Sequence, residues 1–287
     1  MRLLPRLALL VPPAILVGIL LVVPVAYLLQ LSLFKAVPGR MALEPGLTMF
    51  NYTKVLFDSF YLGILANTFL LSVLITSLAL VLGFPLSYFL WLVPRRWKAV
   101  LTLLVVAPML IGIVVKAYGW MILLGDAGVI NDVLRAVGLI EEPIQIMFSD
   151  GAIVIGLTHI QMPFMVLSIL AALERIDVVM LEASQTLGAN RLQTVHRVVV
   201  PLALPGIVAG CTLVFTLNMT AFATPALLGG SGTPVMTLLI FQQFSQIFNW
   251  PFGAAVAVVL LVVTFGMLFL FIRFVGRRAE RWTAVSR

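Results

Sequence analysis

The sequence predicts an all-α membrane protein with six transmembrane helices. Three observations carry this expectation. Only 10% of its 287 residues are charged, where a soluble domain carries about a quarter. Of the rest, hydrophobic residues make up 62% of the chain and the mean hydropathy is +1.16. Finally, six apolar stretches reach the roughly 20 residues that a helix needs to cross a bilayer.

The first stretch is 7–34, with Pro24 inside it. Its basic start, Arg2 and Arg6, resembles a signal peptide. The apolar run is too long for one and no small-x-small cleavage pattern closes it, so an uncleaved first span is expected. The second, 65–93, has Pro85 near its inner end; the third, 99–124, contains Pro108 and Lys116. The fourth, 152–173, holds His159 and Pro163, the fifth runs over 202–228 to near Pro225, and the sixth is 252–275. Prolines inside spans kink the helix and are tolerated where neighbours satisfy the freed carbonyls.

Charge orients this bundle. With the N-terminus inside, thirteen basic residues fall in inner segments: Arg2, Arg6, Arg95, Arg96, Lys98, Arg175, Arg191, Arg197, Arg273, Arg277, Arg278, Arg281 and Arg287. Four fall outside, Lys35, Arg40, Lys54 and Arg135, and Lys116 lies within a span. The positive-inside rule therefore places both termini and the 177–200 loop in the cytoplasm. It also accounts for the net charge of +7 without a nucleic-acid partner. One cysteine, Cys211, excludes an intrachain disulfide.

Three outer loops remain. Residues 129–139 suit a short helix, and Gly229–Pro234 carries a turn signal. Phe241, Phe244 and Phe248 share a helical stripe, with Gln242 and Gln246 facing elsewhere. The chain lacks a phosphate-binding loop, a His-Glu-x-x-His motif and a Cys-x-x-Cys pair, and His159 and His196 lie far apart in this topology. No catalytic residue, metal site or bound cofactor is expected. No predicted span contains an acidic residue, which weakens the rival reading of an ion-coupled carrier. A third reading is a bundle that only anchors partners.

The longest polar interruption that faces inward has order of its own. Asp177 suits the cap of a short helix, and Gly188 suits its left-handed stop. A second helix fits 190–199, with Leu192, Val195 and Val199 on one stripe. Pro201 is expected to end it and Pro205 to sit in the first turn of the next. The pattern describes a helix-turn-helix hook hung between two spans.

Within the hook, Glu182-Ala183-Ser184, then Gly188-Ala189, then Pro201-Leu-Ala-Leu-Pro205-Gly206-Ile207 resembles the "EAA" loop of permease subunits of bacterial binding-protein-dependent ABC importers. Ser184 departs from it, standing where a second alanine is usual. Lys116-x-Tyr118-Gly119, Pro143-Ile-x-Ile146-Met147-Phe148, Pro163-Phe164-Met165-Val166 and Trp250-Pro251-Phe252-Gly253-Ala254-Ala255 look like the first of the two permeases in spermidine/putrescine-type systems. The resemblance covers roughly residues 110–275 and implies a type I ABC importer (MetI-like) permease fold. It implies partners: a homologous second permease, two cytoplasmic ATPase subunits that carry the ATP and magnesium, and an extracytoplasmic solute-binding protein. It makes 177–200 the coupling loop, with Glu182, Ala183, Ser184, Gly188, Ala189 and Arg191 expected to meet the ATPase.

For the solute path, six residues stand out. Lys116 is a cation roughly 12 Å deep in its span at 1.5 Å per residue, and intramembrane cations face cavities, partners or the interface. By itself it would favour an anionic or zwitterionic solute; the resemblance favours a polyamine. Tyr118 and Trp120, with Trp250, are aromatic faces able to hold cations or to form an interfacial belt. Asn218, Thr220 and Thr224 are polar positions in an apolar span, suited to interhelical hydrogen bonds or to the path. Amino-acid derivatives, phosphonates and iron remain alternative cargoes.

Overall fold

The computed structural model describes residues 4–37, 43–177 and 179–273. Arg2, Arg40, Arg277, Arg278, Arg281 and Arg287, named above, lie outside the described residues, as do position 178 of the hook and positions 274 and 275 of the sixth expected span. The described residues are mostly helical and form no strand beyond one isolated bridge, Ala36 to Leu43. Six segments are long and apolar enough to cross a membrane: Ile15–Ser32, Ser59–Leu92, Ile113–Ala136, Asp150–Leu173, Arg191–Met219 and Trp250–Phe271.

The chain divides into two compact units, Met1–Leu65 with Met236–Val262, and Ala66–Val235 with Val263–Arg287. Two of the three dividing points fall inside helices, α3 (Ser59–Leu92) and α12 (Trp250–Phe271), and the third falls at Met236, where a helix begins. In the first unit, α1 (Leu4–Ser32) is strongly apolar, and its residues 15–30 are mostly exposed. Its end is tied by Asn51, which is buried at the start of α2 (Phe50–Phe57) and donates to the carbonyls of Ser32 and Phe34 at 3.0 and 2.6 Å. Lys54 sits over the rings of Tyr61 and Phe252, at 5.6 and 5.2 Å from their centroids. Of the phenylalanine stripe only Phe244 is half-buried, its ring 3.0 Å from where a Cβ of Gly253 would lie. On α11 (Met236–Ser245), Gln243 is buried while Phe241 is exposed, and Phe248 is exposed beyond the helix end.

The second unit is built on the antiparallel pair α7 (Asp150–Leu173) and α10 (Val200–Met219). Lipid removes most of the hydrophobic drive for helix association, so close backbone approach must hold such a pair. Gly206 and Gly210 supply it. A Cβ at Gly206 would lie 2.5 Å from Ala172 Cβ and 2.6 Å from the Ser168 carbonyl oxygen. At Gly210 it would meet Met165 Sδ at 2.8 Å. Met165, Val166, Ile169 and Leu173 of α7 form the centre of the core, with Leu90 and Trp91 of α3 against them.

The expected span 99–124 is not one helix. α4 (Arg95–Val106) is followed by a 3-10 turn at Ala107–Leu110, and α5 (Ile113–Leu124) starts afresh. Ile111 and Gly112 between them are extended, with ψ of 132° and 143°. Pro108 removes a donor from the ladder, and the chain breaks rather than kinks. By length and composition the segment that qualifies is Ile113–Ala136; there α5 ends at Leu124, and α6 (Val129–Ala136), which carries Asp132 and Arg135, follows a turn at 125–128. The fifth span also ends early, at Met219 rather than 228.

Candidate functional site

The hook forms from local rules. Asp177 accepts from the Val179 N–H at 3.0 Å and starts α8 (Val179–Thr186). Leu187 N–H returns to Ala183 and Gly188 N–H to Gln185, and Gly188 takes φ +86°. That left-handed conformation costs a residue with a Cβ about 1–2 kcal/mol. Asn190 then caps α9 (Arg191–Thr194) in a capping box: its side chain accepts from Gln193 N–H at 2.8 Å while Gln193 Oε1 accepts from Asn190 N–H at 3.0 Å. A hydroxyl contact of 2.8 Å between Ser184 and Thr194 joins the two short helices. Leu181 and Val199 anchor the hook in the α7 core.

Two expectations about the hook need correction. Pro201 does not end the second helix, and Pro205 lies inside α10 rather than in a first turn. The chain runs on from α9 through one π-helical turn, Val195–Val199, with Val200 N–H bonded to Val195 C=O. Widening the turn before Pro201 gives room to a ring that would collide with the preceding carbonyl in a regular helix. The stripe is also different. Val199 is buried, but Leu192 is 81% exposed, and Thr194 takes the buried position.

The exposed side of the hook carries Glu182, Ala183, Gly188 and Arg191, with Ser184 and Ala189 half-buried. Glu182 has no ion-pair partner among the described residues. Leu187, at 87% exposure, stands beside Leu192 in what was missed from the sequence. Polar spacing signals the loop, but nothing in it marks which leucines face outward. A cavity of about 410 Å3 under the hook is lined by Tyr88 and Leu92 of α3 together with Leu181, Gln185, Arg191 and Thr194. Lys98 pairs with Glu174 at 3.5 Å. Both groups are partly exposed, so the pair is worth at most about 1 kcal/mol.

The six path candidates do not converge on one point. Trp120 Nε1 donates to His159 Nδ1 at 3.3 Å, with ring centroids 5.5 Å apart. Thr224 and Trp120 meet at Gly156, where a Cβ would lie 3.3 Å from Thr224 Cγ2 and 3.9 Å from Trp120 Cδ1. Lys116 is half-buried one helical turn before Trp120 on α5, and Tyr118 is exposed on another face. Thr220 caps the end of α10 and donates to its own turn, to Thr216 C=O at 3.0 Å. Asn218 is buried at 5% exposure, and neither end of its carboxamide has a partner among the described residues. The hydroxyls of Thr158, Thr212 and Thr224 are buried and unpaired in the same sense. Thr158 was not singled out from the sequence. Trp250, exposed, donates to Phe244 C=O at 3.2 Å. No group of three or more metal-ligating side chains occurs among the described residues.

Apolar helices long enough to span, a capped hook between two of them and polar groups kept inside a span describe a multi-pass membrane protein. The sequence pattern of the family described as "Binding-protein-dependent transport system inner membrane component" matches residues 7–281, and the chain belongs to that family. It is 38% identical over 226 residues to the spermidine/putrescine transport system permease protein PotB of Escherichia coli K12, covering 79% of this chain and 82% of that one. PotB of Haemophilus influenzae is 35% identical over 79% of each chain. Among solved structures, a bacterial ABC transporter that imports the acidic polysaccharide alginate shares the fold at a TM-score of 0.73 and 20% identity, over 96% and 95% of the two chains. The MetNI methionine ABC transporter follows at 0.58 and 21%, over 77% and 99%. This chain is thus a multi-pass inner-membrane permease subunit of an ABC importer with the MetI-like fold.

Proposed function

We propose that this permease forms half of the path of an ATP-driven polyamine importer, with residues 177–200 as its contact with a cytoplasmic ATPase subunit. The polyamine assignment rests on the likeness to PotB proteins over four-fifths of the chain. The coupling role rests on one observation. The hook is an internally capped element that presents a carboxylate with no ion-pair partner among the described residues, Glu182, and two exposed leucines, Leu187 and Leu192. Such a knob suits a cleft with an apolar floor and a basic rim.

The partners follow the same reading: a homologous second permease, two ATPase subunits holding ATP and magnesium, and an extracytoplasmic binding protein. Closure of the ATPases pushes the hook. The continuous helix from Arg191 to Met219 carries that displacement into the bundle, and the path switches from inward- to outward-facing. Both termini lie in the cytoplasm in this scheme, in keeping with the positive-inside count. Residues 1–287 act as one permease domain.

The test uses the complete complex in proteoliposomes. ATP hydrolysis should rise when the binding protein is loaded with spermidine or putrescine, and Glu182→Ala should abolish that rise while the subunits still copurify. A rate indifferent to polyamine would remove the cargo assignment; an unchanged response in Glu182→Ala would remove the coupling assignment.

A further inference from the structure

At the end of α5 a cavity of about 260 Å3 is lined by Met121, Gly125, Asp126, Gln145, Met147 and Phe148. The core uses only part of this lining. Met147 is buried with Leu124 and Leu228, whereas Phe148 is 55% exposed and Asp126 is exposed. Asp126 has no ion-pair partner among the described residues. Residues 125–150 hold four further acids, Asp132, Glu141, Glu142 and Asp150, against one base, Arg135. The local field is therefore attractive to cations.

Phe148 is held where it is by constraint. Its φ is +59°, a left-handed backbone that a residue with a Cβ rarely adopts. Its N–H donates to Leu228 C=O at 2.9 Å. The backbone of Gly230, itself at φ +63°, passes so close that a Cβ there would lie 2.9 Å from the Phe148 ring. Strained positions that the surroundings over-determine cluster at ligand sites. What this strain fixes is the position of the Phe148 ring, which lines the cavity and packs on the Gly230 backbone.

A carboxylate, an amide, one aromatic face and two thioethers form the lining that a primary alkylammonium needs. The carboxylate neutralises the charge, the ring adds cation–π attraction, and the methionines pack on the methylene chain. We infer that this cavity is a docking subsite for one terminal ammonium of the incoming solute, with Asp126 as its counter-ion and Phe148 as its aromatic wall. The inference rests on the polyamine reading above and on the outward placement of residues 125–150.

The test is uptake of labelled putrescine and spermidine by the reconstituted complex, measured against the concentration of loaded binding protein. Asp126→Asn should raise the half-saturating concentration about fivefold and leave the maximal rate within about twofold, since one screened ion pair is lost. Asp126→Glu should restore it, and Phe148→Leu should raise it about three- to fivefold. The double variant Glu141→Gln/Glu142→Gln, which weakens only the surrounding field, should raise it by less than about twofold. An unchanged half-saturation in Asp126→Asn, or an equal rise in the Glu141/Glu142 variant, overturns the subsite while polyamine uptake by the wild type keeps the cargo reading. A wild type that imports no polyamine overturns both. Should Asp126→Asn fail to copurify with its partners, Phe148→Leu decides: unchanged half-saturation there also overturns the subsite.

Discussion

The hydroxyls of Ser184 and Thr194 meet at 2.8 Å, one from each short helix of the hook. This contact makes two fragments, eight and four residues long, behave as one body. Helices this short do not persist alone in water. Their shape comes from this contact, the Asn190 capping box and the buried Leu181. Ser184 keeps a second bond, to Leu181 C=O at 2.9 Å, so removing Thr194's hydroxyl strands no donor. Thr194→Val should therefore cost about 1 kcal/mol of local stability. It should reduce stimulated ATP hydrolysis while basal hydrolysis stays unchanged. A double-mutant cycle with Ser184→Ala checks the pairing: coupling near zero would mean that the two hydroxyls act independently.

Gly188 and Gly206 test two different uses of glycine. At Gly188 nothing lies within 4 Å of an added Cβ, and φ is +86°. The penalty of Gly188→Ala is then purely conformational, about 1–2 kcal/mol, and is confined to the hook. Stimulated hydrolysis should fall with assembly intact. Gly188→Asn should recover much of it, because asparagine enters the left-handed region more readily. Equal damage from alanine and asparagine would mean that a partner needs the bare backbone there.

At Gly206 the space itself is missing. An added Cβ would lie 2.6 Å from the Ser168 carbonyl oxygen, which is backbone and cannot rotate away. Gly206→Ala should force α7 and α10 apart, with a loss of about 1–3 kcal/mol or more as in other overpacked cores. The complex should show lower yield and a lower melting temperature, and hydrolysis per assembled complex should change less than in Gly188→Ala. A normal melting temperature would show that the two helices separate at little cost.

How far the sequence speaks depends on the kind of signal. Hydropathy finds six apolar stretches because lipid admits only helices or closed barrels, but it does not say where a helix breaks or ends, as at Pro108 and Met219. Asp177 and Gly188 were legible as a cap and a stop because each acts on neighbouring backbone. Pro201 and Pro108 misled in opposite directions. The first was expected to end a helix and is absorbed by a π turn; the second was expected to kink one and breaks it. Proline states which hydrogen bond is missing, while the packing around it decides how the chain adapts. Leu192 was placed on the buried stripe for the same reason: the π turn shifts the register by which Val199 and Leu192 would share a face. The path candidates were chosen for polarity in apolar spans, and polarity does not say which of them meet. Trp120 found His159 and Thr224 through α7, which no local pattern encodes.

Asn218 offers the sharpest separation of stability from transport. The α7–α10 contacts at Gly206–Ser168 and Gly210–Met165 set an antiparallel register that brings Asn218 opposite Thr158, and both side chains are buried without a partner among the described residues. A buried amide left unsatisfied costs about 1–3 kcal/mol. Leucine has the same branched heavy-atom shape, with bulkier methyls, and leaves no polar group unpaired. Asn218→Leu should thus raise the melting temperature of the complex by the equivalent of about 1–2 kcal/mol. If the amide meets solute or water during the transport cycle, uptake should fall even as the protein becomes more stable, with binding-protein-stimulated hydrolysis retained. A variant that gains stability and transports at the wild-type rate would assign Asn218 no part in the path. A variant that loses stability would mean that the amide is hydrogen-bonded in the assembled complex, and the partner it then uses becomes the residue to find.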